Sequence, residues 1–498
     1  MKRSTLLFFA LLAIIGLRNI ATAQNVNIPD VKFKAALLGN PSINTNADGE
    51  IQLTEATAFT GSIDCGSKGI ANLTGIAAFV NITQLTCYFN KLTSLDVSKN
   101  TALKELSCYF NPFASLDLSK NTALTNLYCN DNQLTSLDLS KNTALRYLEC
   151  DANKLTSIDV SKNTLLIKLN CTSNKLTSLD VSKNTVLTEL RCENNQLASL
   201  DVSMNTALLK LFCSINNLTS LDVSKNTDLT TLLCYTNQLT ILDVSNNTAL
   251  EEMYCDENQL TGLDVSKNKA LIGLYCNDNK LTNLDVSNCL ALNILKCFKN
   301  KLTSIDVGKN TALTILDVKN NLLTSIDVSK NAALQVLSCN WNQLANINIS
   351  INKAIVGLYC RGNQLTVLNV KNGQNVKLTN LVATSNPSLT CIQVDDTSAS
   401  HQGWVKDTTA NYNNDCGFPS GFKEITNDEV KIYPNPVIEE LYFSQVSNAT
   451  IYNTLGEMIG NWKEITSIDM SKFVAGMYVV IFTNTNGGEI RMSKIRKN

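Results

Sequence analysis

Apolar residues recur along most of this chain with a period of 21, and each period contains two short apolar clusters. In "LKELSCYFN" the apolar positions are Leu103, Leu106 and Cys108, and Leu116 and Leu118 follow half a unit later. Such spacing predicts short strands that bury one face. One unit cannot bury both of its halves alone, so the pattern predicts about 16 coils stacked in parallel around a shared apolar core.

One slot of the unit is cysteine almost throughout. Val318 occupies this position once, and Ala383 occupies it with a small departure from the 21-residue spacing. The position therefore requires a compact apolar side chain, and free cysteine is one. In-register parallel strands would hold successive cysteines ~4.8 Å apart, wider than the ~3.8 Å between Cβ atoms that a disulfide prefers. We therefore predict a reduced row rather than a metal or redox ladder, because thiolate ligands must converge on a metal.

Two rows of asparagine recur with the same period. One row runs from Asn90 to Asn363, and the other begins at Asn100. Each coil must turn its backbone inward at these corners, where a buried amide can satisfy peptide groups of its own and the adjacent coil. We predict a structural role for both rows.

The full unit, L-x-x-L-x-C-x-x-N-x-L-x-x-L-D-V-S-x-N-x-A, resembles leucine-rich repeats of the short bacterial class over residues 65–390. The resemblance implies a β-rich leucine-rich-repeat solenoid. The preceding "IPDVKFKAALLGN" resembles the caps of internalin-like repeat proteins. It predicts a short helical N-terminal cap within residues 24–64, with a helix from about Asp30 to Leu38.

The N-terminal cap also contains "NTNADGEIQLTE", which has the spacing of an EF-hand loop. Its candidate ligands are Asn44, Asn46, Asp48, Glu50 through its carbonyl, and Glu55. Only Asp48 and Glu55 are clear carboxylate ligands. The loop is therefore interpreted either as a weak calcium site or as a plain Asn/Gly-rich turn, and no other cofactor is expected.

The first 23 residues predict a signal peptide. Lys2 and Arg3 precede an apolar run and a small-residue pattern, with cleavage expected before Gln24. The run is too short for a membrane anchor, which needs about 20 residues, and no later segment is long and apolar enough to span a membrane.

Residues 429–498 form a separate C-terminal domain whose alternating segments predict a small all-β immunoglobulin-like sandwich. Its segments "YPNP", "YNTLGE" and "AGMY" and its basic tail resemble the C-terminal sorting domain of type IX secretion substrates. The resemblance implies engagement of the type IX secretion machinery, export from the periplasm across the outer membrane of a Gram-negative bacterium, and removal of the domain. The mature protein would then be released or attached to the cell surface.

Residues 391–428 are predicted to be a C-terminal cap and linker, because the repeat has stopped there. Cys391 and Cys416 lie in this loop-rich stretch, outside the regular cysteine row. An exported chain can oxidise such a pair. We predict that they form a disulfide that caps the solenoid.

The composition argues against several function classes. The chain has 42 Lys and Arg residues and 43 Asp and Glu residues, so it carries no net positive charge that would favour binding of nucleic acid. His401 is the only histidine, and the chain contains neither HExxH nor GxSxG. These features weigh against an enzyme.

Comparison of the units separates a constant half, "LTSLDVSKN", from a variable half. The aspartates of the constant half are predicted to point outward as a solvated column rather than a cation site. Aromatic residues in the variable half are typical anchors of recognition surfaces. We expect a non-enzymatic protein that mediates protein binding or adhesion, with an extracellular glycan-binding module as the alternative. The candidate binding residues are Tyr128, Phe212, Tyr254, Tyr275, Trp341 and Tyr359.

Overall fold

The structure is a computed structural model that describes residues 24–417, 432–433, 435, 437–453, 457–484 and 491–497. The predicted signal peptide, most of the predicted linker and parts of the sorting motifs lie outside these residues. The chain divides into two compact units, one ending at Cys416 and the other beginning at Gly417. In the described part of the chain, no helix is both long and apolar enough to cross a membrane.

The N-terminal cap consists of two short helices, α1 (Val31–Leu38) and α2 (Leu53–Ala58). One carboxylate oxygen of Asp30 caps α1 by accepting hydrogen bonds from the backbone N–H groups of Lys32 and Phe33. The other oxygen accepts a hydrogen bond of 2.8 Å from the N–H of Ala71. Asp30 therefore both starts the helix and fastens the cap to the first coil.

Each coil of the solenoid adds one short strand to a parallel sheet of 17 strands. Neighbouring strands pair in register one repeat apart, so that Leu106 lies beside Leu127. The predicted stack of parallel coils is confirmed. The strands of this sheet are β1 (Ser62–Asp64), β2 (Gln84–Thr86), β3 (Glu105–Ser107), β4 (Asn126–Tyr128), β5 (Tyr147–Glu149), β6 (Lys168–Asn170), β7 (Glu189–Arg191), β8 (Lys210–Phe212), β9 (Thr231–Leu233), β10 (Glu252–Tyr254), β11 (Gly273–Tyr275), β12 (Ile294–Lys296), β13 (Ile315–Asp317), β14 (Val336–Ser338), β16 (Gly357–Tyr359), β18 (Asn380–Ala383) and β20 (Trp404–Lys406).

The second half of the repeat forms strands only in the last coils. There a four-stranded parallel sheet contains β15 (Asn346–Asn348), β17 (Val367–Asn369), β19 (Cys391–Gln393) and β21 (Asn411–Asn413). In the earlier coils the same half runs as irregular extended chain. Two short 3-10 helices, Ile76–Ala78 and Asn375–Lys377, complete the solenoid.

The first asparagine row stabilises a sharp corner in each coil. At that corner the residue before the asparagine adopts a left-handed conformation, as Phe110 does with φ of 52°, and it is a glycine only at Gly362 among the coils from Asn90 to Asn363. The adjacent Asn111 donates from Nδ2 to the carbonyls of Cys87 and Cys108, each at 3.1 Å, and accepts from the N–H of Leu92. These bonds to two coils offset the conformational cost of the corner.

The second asparagine row lies at the opposite corner and is fully buried. Asn184 donates to the carbonyls of Val160 and Asn163, at 3.1 and 2.8 Å, while its Oδ1 has no hydrogen-bond partner. Cys289 replaces asparagine in this row, and its thiol donates a single bond of 3.6 Å to the carbonyl of Val265.

The cysteine row lies along the inner face of the main sheet, beside the buried leucines. Burial raises the pKa of Cys65 and Cys171 to about 12, so the thiols stay protonated. The free cysteines are all buried: Cys65, Cys87, Cys108, Cys129, Cys150, Cys171, Cys192, Cys213, Cys234, Cys255, Cys276, Cys289, Cys297, Cys339 and Cys360.

The last coils are closed by polar and covalent contacts. Asp395 and Asp407 accept hydrogen bonds from backbone N–H groups of the preceding coil. Cys391 and Cys416 form a disulfide with a Cα–Cα distance of 5.8 Å. His401 packs on Trp404, with ring centroids 4.4 Å apart, over the end of the core.

The described part of the C-terminal unit consists of β-strands and connecting turns and has its own apolar core. Its antiparallel strands are β22 (Ile432–Tyr433), β23 (Glu440–Tyr452), β24 (Met458–Asp469), β25 (Gly476–Asn484) and β26 (Arg491–Lys497). Strand β23 pairs with β22, β24 and β25, and its register shifts between Tyr442 and Ser447. Leu441, Ile451 and Val480 are among its fully buried residues.

Candidate functional site

The solvent side of the 17-stranded sheet presents two side chains per coil. In β10, Glu252 and Tyr254 flank the buried Met253 and therefore point to the same side. Residues at the first and third strand positions thus form two parallel columns, which together we call the variable face. Only the third position was recognised as outward-facing from the sequence.

Two tyrosines form the centre of the variable face. Tyr254 and Tyr275 pair in register on β10 and β11, and their rings stack with centroids 4.0 Å apart and planes 7° apart. Burial and the contact with Tyr275 raise the pKa of the Tyr254 hydroxyl. The stacked pair presents its ring edges and hydroxyls to solvent.

Apolar contact extends from this pair toward the N-terminal coils. Leu233 pairs with Tyr254 on one side and with Phe212 on the other. The guanidinium of Arg191 lies 4.4 Å from the centroid of the Phe212 ring. We call Phe212, Leu233, Tyr254 and Tyr275 the central patch.

The structure does not bring together the remaining candidate aromatic residues. Tyr128 has Ser107 and Glu149 as its neighbours in the same column, so it stands apart from the central patch. Tyr359 lies over Gly357 of its own strand. Trp341 lies outside the strands at a corner with φ of 57°, is 49% exposed, and packs on Gly362.

The first strand position supplies apolar residues that the sequence analysis missed. Ile294, Ile315 and Val336 occupy this position in three successive coils and are half-buried. They continue the apolar surface from the central patch toward the C-terminal coils, in the neighbouring column. The two-residue alternation of side chains along a strand could have identified them, because a residue two positions before an outward-facing residue also faces outward.

Two aspartates beside the variable face are held in a less polar environment. Burial raises the pKa of Asp151 to about 6, and the carboxylates of Glu149 and Asp131 add to the effect. Burial likewise raises the pKa of Asp256 to about 6, with Glu257 and Asp278 nearby. Both groups change charge in mildly acidic solution.

The aspartates of the constant half lie on the opposite side of each coil. Asp222 accepts a hydrogen bond of 2.8 Å from the N–H of Ser224. The hydrogen bonds from Ser224 lower the pKa of Asp222, and the same contact recurs along the column. These carboxylates are therefore ionised and close local turns.

The candidate calcium loop is closed by its own hydrogen bonds. Asp48 accepts from the N–H of Glu50 at 2.9 Å and from the amide of Gln52 at 2.7 Å, and Glu55 accepts from Thr45. The Glu50 side chain pairs with Lys34 at 2.6 Å. Asn44 Oδ1 is buried and has no partner. Over the residues that the structure describes, no three His, Cys, Asp or Glu side chains converge to hold a metal.

The solenoid matches a solved structure along almost its whole length. The structure titled "Functional domain of InlJ from Listeria monocytogenes includes a cysteine ladder" is 30% identical, with a TM-score of 0.64, over 95% of this chain and 98% of that chain. This chain is an internalin-like leucine-rich repeat protein. Internalin J of Listeria monocytogenes itself is 43% identical over 47 residues, which is 9% of this internalin-like chain and 5% of that protein.

The C-terminal unit of the internalin-like protein matches a different family. Residues 431–496 match the model of the secretion system C-terminal sorting domain. The predicted type IX sorting domain is confirmed, and the protein is exported to the cell surface or the medium.

The leucine-rich-repeat ectodomain of the receptor kinase GASSHO1/SCHENGEN3 from Arabidopsis thaliana shares only the leucine-rich-repeat fold with this chain. It is 20% identical over 67% of this chain and 46% of that chain, with a TM-score of 0.53.

Proposed function

We propose that this internalin-like protein is a non-enzymatic binding protein that attaches to an extracellular protein through its variable face. The observation that carries the proposal is the central patch, a run of apolar side chains across four successive strands. Large aromatic side chains at the centre of a surface, surrounded by polar residues, are typical binding hot spots.

The arrangement of the rings favours a protein partner over a glycan. A sugar stacks on the flat face of an aromatic ring, but one face of Tyr275 is covered by Tyr254, and the Lys296 ammonium lies 5.2 Å from the Tyr275 ring centroid. Arg191 covers Phe212. The central patch therefore presents ring edges, hydroxyls and aliphatic groups, which suit the side chains of a protein.

We propose that the mature protein comprises residues 24 to about 428, after loss of the signal peptide and the sorting domain. The sorting domain is further proposed to fold as an immunoglobulin-like sandwich. The register shifts in β23 support this fold, because such irregularities let a long strand bend from one layer into another.

We also propose that the protein requires no cofactor and that the N-terminal loop binds calcium only weakly. Internal hydrogen bonds already occupy Asp48 and Glu55, and Lys34 pairs with Glu50. Millimolar calcium should shift the melting temperature by less than about 2 °C relative to EDTA. A larger shift that Asp48→Asn abolishes would contradict weak binding.

Site-specific photo-crosslinking tests the proposed face. A benzophenone amino acid replaces Leu233 in the central patch or Ser136 on the constant half. Each mature variant is then irradiated together with the cell surfaces that the protein meets in its natural environment. We expect a discrete protein adduct from position 233 and none from position 136. Adducts from position 136 alone, or only glycan adducts from position 233, would refute the proposal.

A further inference from the structure

The constant half of the repeat departs from its own pattern in three successive coils. In most coils from Ser94 to Ser325 the residue before the leucine or isoleucine of this segment is serine, as in Ser115, Ser136, Ser220 and Ser304, and Asn346 and Val367 replace it in the last coils. In the three coils it is instead Ile241, Gly262 and Asn283. Isoleucine adds an apolar side chain there, and glycine removes a side chain.

The same coils also lose lysines that accompany the aspartate column. Asp117 has Lys120 beside it, and the ammonium helps to lower the pKa of that carboxylate. Asn246 and Asn288 replace the corresponding lysines in two of the three coils, and Met204 replaces the lysine in a coil outside them. The carboxylates of Asp264 and Asp222 act on Asp243, and the Lys309 ammonium of the next coil acts on Asp285.

These substitutions lie along a continuous groove on the constant half. The groove from Ile241 to Lys309 is lined by four coils and has a volume of about 1070 Å³. A shorter groove around Ser115 and Asp138 is lined by two coils and has a volume of about 200 Å³. Because Gly262 has nothing within 4 Å of where a Cβ would lie, the gap in the middle is open. We call this segment, from Ile241 to Lys309, the acidic groove.

The groove combines an apolar surface with a row of ionised carboxylates. Ile241 is 75% exposed at one end, and the edges of Leu263 and Leu284 form part of the floor. Hydrogen bonds from the following serines lower the pKa of Asp243, Asp264 and Asp285, so the row is negatively charged at neutral pH. A chain-like occupant fits the groove, because four coils extend over about 14 Å, the length of four to five extended residues.

We infer that the acidic groove is a second binding site, separate from the variable face, for an extended lysine-containing segment of a partner protein. The ammonium groups pair with Asp243, Asp264 and Asp285, and the apolar side chains between them lie on Ile241 and the leucine floor. Charge complementarity selects a cationic segment. The groove is open and elongated, which suits an extended peptide better than a small molecule, since small molecules usually bind in enclosed pockets.

The test uses a labelled hexapeptide of alternating lysine and valine, with glutamate replacing lysine in the control peptide. Binding to the mature protein is measured by fluorescence anisotropy. We expect the lysine peptide to bind and the glutamate peptide not to bind. Equal binding of the two peptides, or displacement of the lysine peptide by equimolar spermidine, would overturn the inference of a peptide site.

Variants that restore the repeat pattern keep the fold and remove the groove. Asn246→Lys adds the missing lysine and should weaken binding by roughly tenfold, whereas Met204→Lys adds the same charge in a coil outside the groove and should change binding less than twofold. Ile241→Ser with Gly262→Ser should also weaken binding. Equal effects of Asn246→Lys and Met204→Lys would show unspecific charge attraction and overturn the inference.

The two proposed sites can fail independently. Tyr254→Ala with Tyr275→Ala alters the variable face and should leave peptide binding in the acidic groove unchanged. A loss of peptide binding in that variant would place the peptide on the variable face and refute the groove.

Discussion

At the scale of single residues, the solenoid depends on hydrogen bonds from side-chain amides to backbone carbonyls. The chain contains its own comparison, because Cys289 occupies a slot that is asparagine in neighbouring coils. Asn310, one coil later, donates to the carbonyls of Val286 and Cys289 at 2.9 and 2.8 Å. Cys289 makes only one weaker contact, to Val265.

Replacing Cys289 by asparagine should therefore stabilise the protein. The new amide can donate to the carbonyls of Val265 and Asn268, as its counterparts do, for a gain of about 1 kcal/mol. The reverse change, Asn310→Cys, should cost a similar amount. Urea unfolding of both variants measures this, and a destabilised Cys289→Asn would mean that the corner cannot accommodate an amide there.

The raised pKa values of Asp151 and Asp256 predict a specific pH dependence. A folded-state pKa of about 6, above the usual value near 4, means that the folded protein binds more protons between these values. Their contribution to stability is therefore favourable below pH 4 and is lost as pH rises to about 6.

The double substitution Asp151→Asn and Asp256→Asn should remove the loss of folding stability that occurs as the pH rises from about 4 to about 6. The double variant should melt higher than the parent at pH 7, by a modest margin because both groups remain partly exposed, and the difference should vanish at pH 4. Melting temperatures across this range decide the matter. A variant that gains nothing at pH 7 would show that both carboxylates are well solvated.

At the scale of the coil, the sequence predicts the repeat closely because each slot has one physical requirement. The row from Cys87 to Cys360 needs compact apolar side chains, and the structure buries all of its free cysteines. The asparagine rows need backbone partners, and the structure supplies them. Periodicity therefore determines the register, the core and the corners.

The contacts on the variable face are less predictable, because they depend on which residues meet from adjacent coils. Tyr254 and Tyr275 stack, whereas Tyr128, at the same strand position, has no aromatic neighbour in its column. The first strand position, where Ile294 and Ile315 lie, was also not recognised from the sequence. The acidic groove likewise lies where small departures occur within a half-repeat that otherwise barely changes.

The cysteine row predicts unusual thiol behaviour. Burial raises the thiol pKa values, and reaction requires the thiolate, so the native protein should react with maleimide only as fast as coils open. After unfolding without reductant, every cysteine except Cys391 and Cys416 should react. Mass spectrometry of the labelled peptides gives the count, and disulfides between row cysteines would contradict the reduced ladder.

At the scale of the whole molecule, the chain combines a leucine-rich-repeat solenoid with a C-terminal sorting domain that directs its secretion. The solenoid repeats one coil so regularly that differences between coils stand out, among them the apolar run of Phe212, Leu233, Tyr254 and Tyr275 on successive strands. The fold by itself assigns no partner. The assignment of binding to the variable face rests on the central patch.

The most direct test of that assignment compares the two sides of the same coils. Tyr254→Ala with Tyr275→Ala in the mature protein should weaken attachment to its natural surface by about 2 kcal/mol or more, roughly thirtyfold, without lowering the melting temperature substantially. Asp117→Asn with Asp138→Asn, on the constant half, should leave attachment unchanged. Normal attachment of the tyrosine variant together with loss in the aspartate variant would contradict the account and place recognition on the constant half.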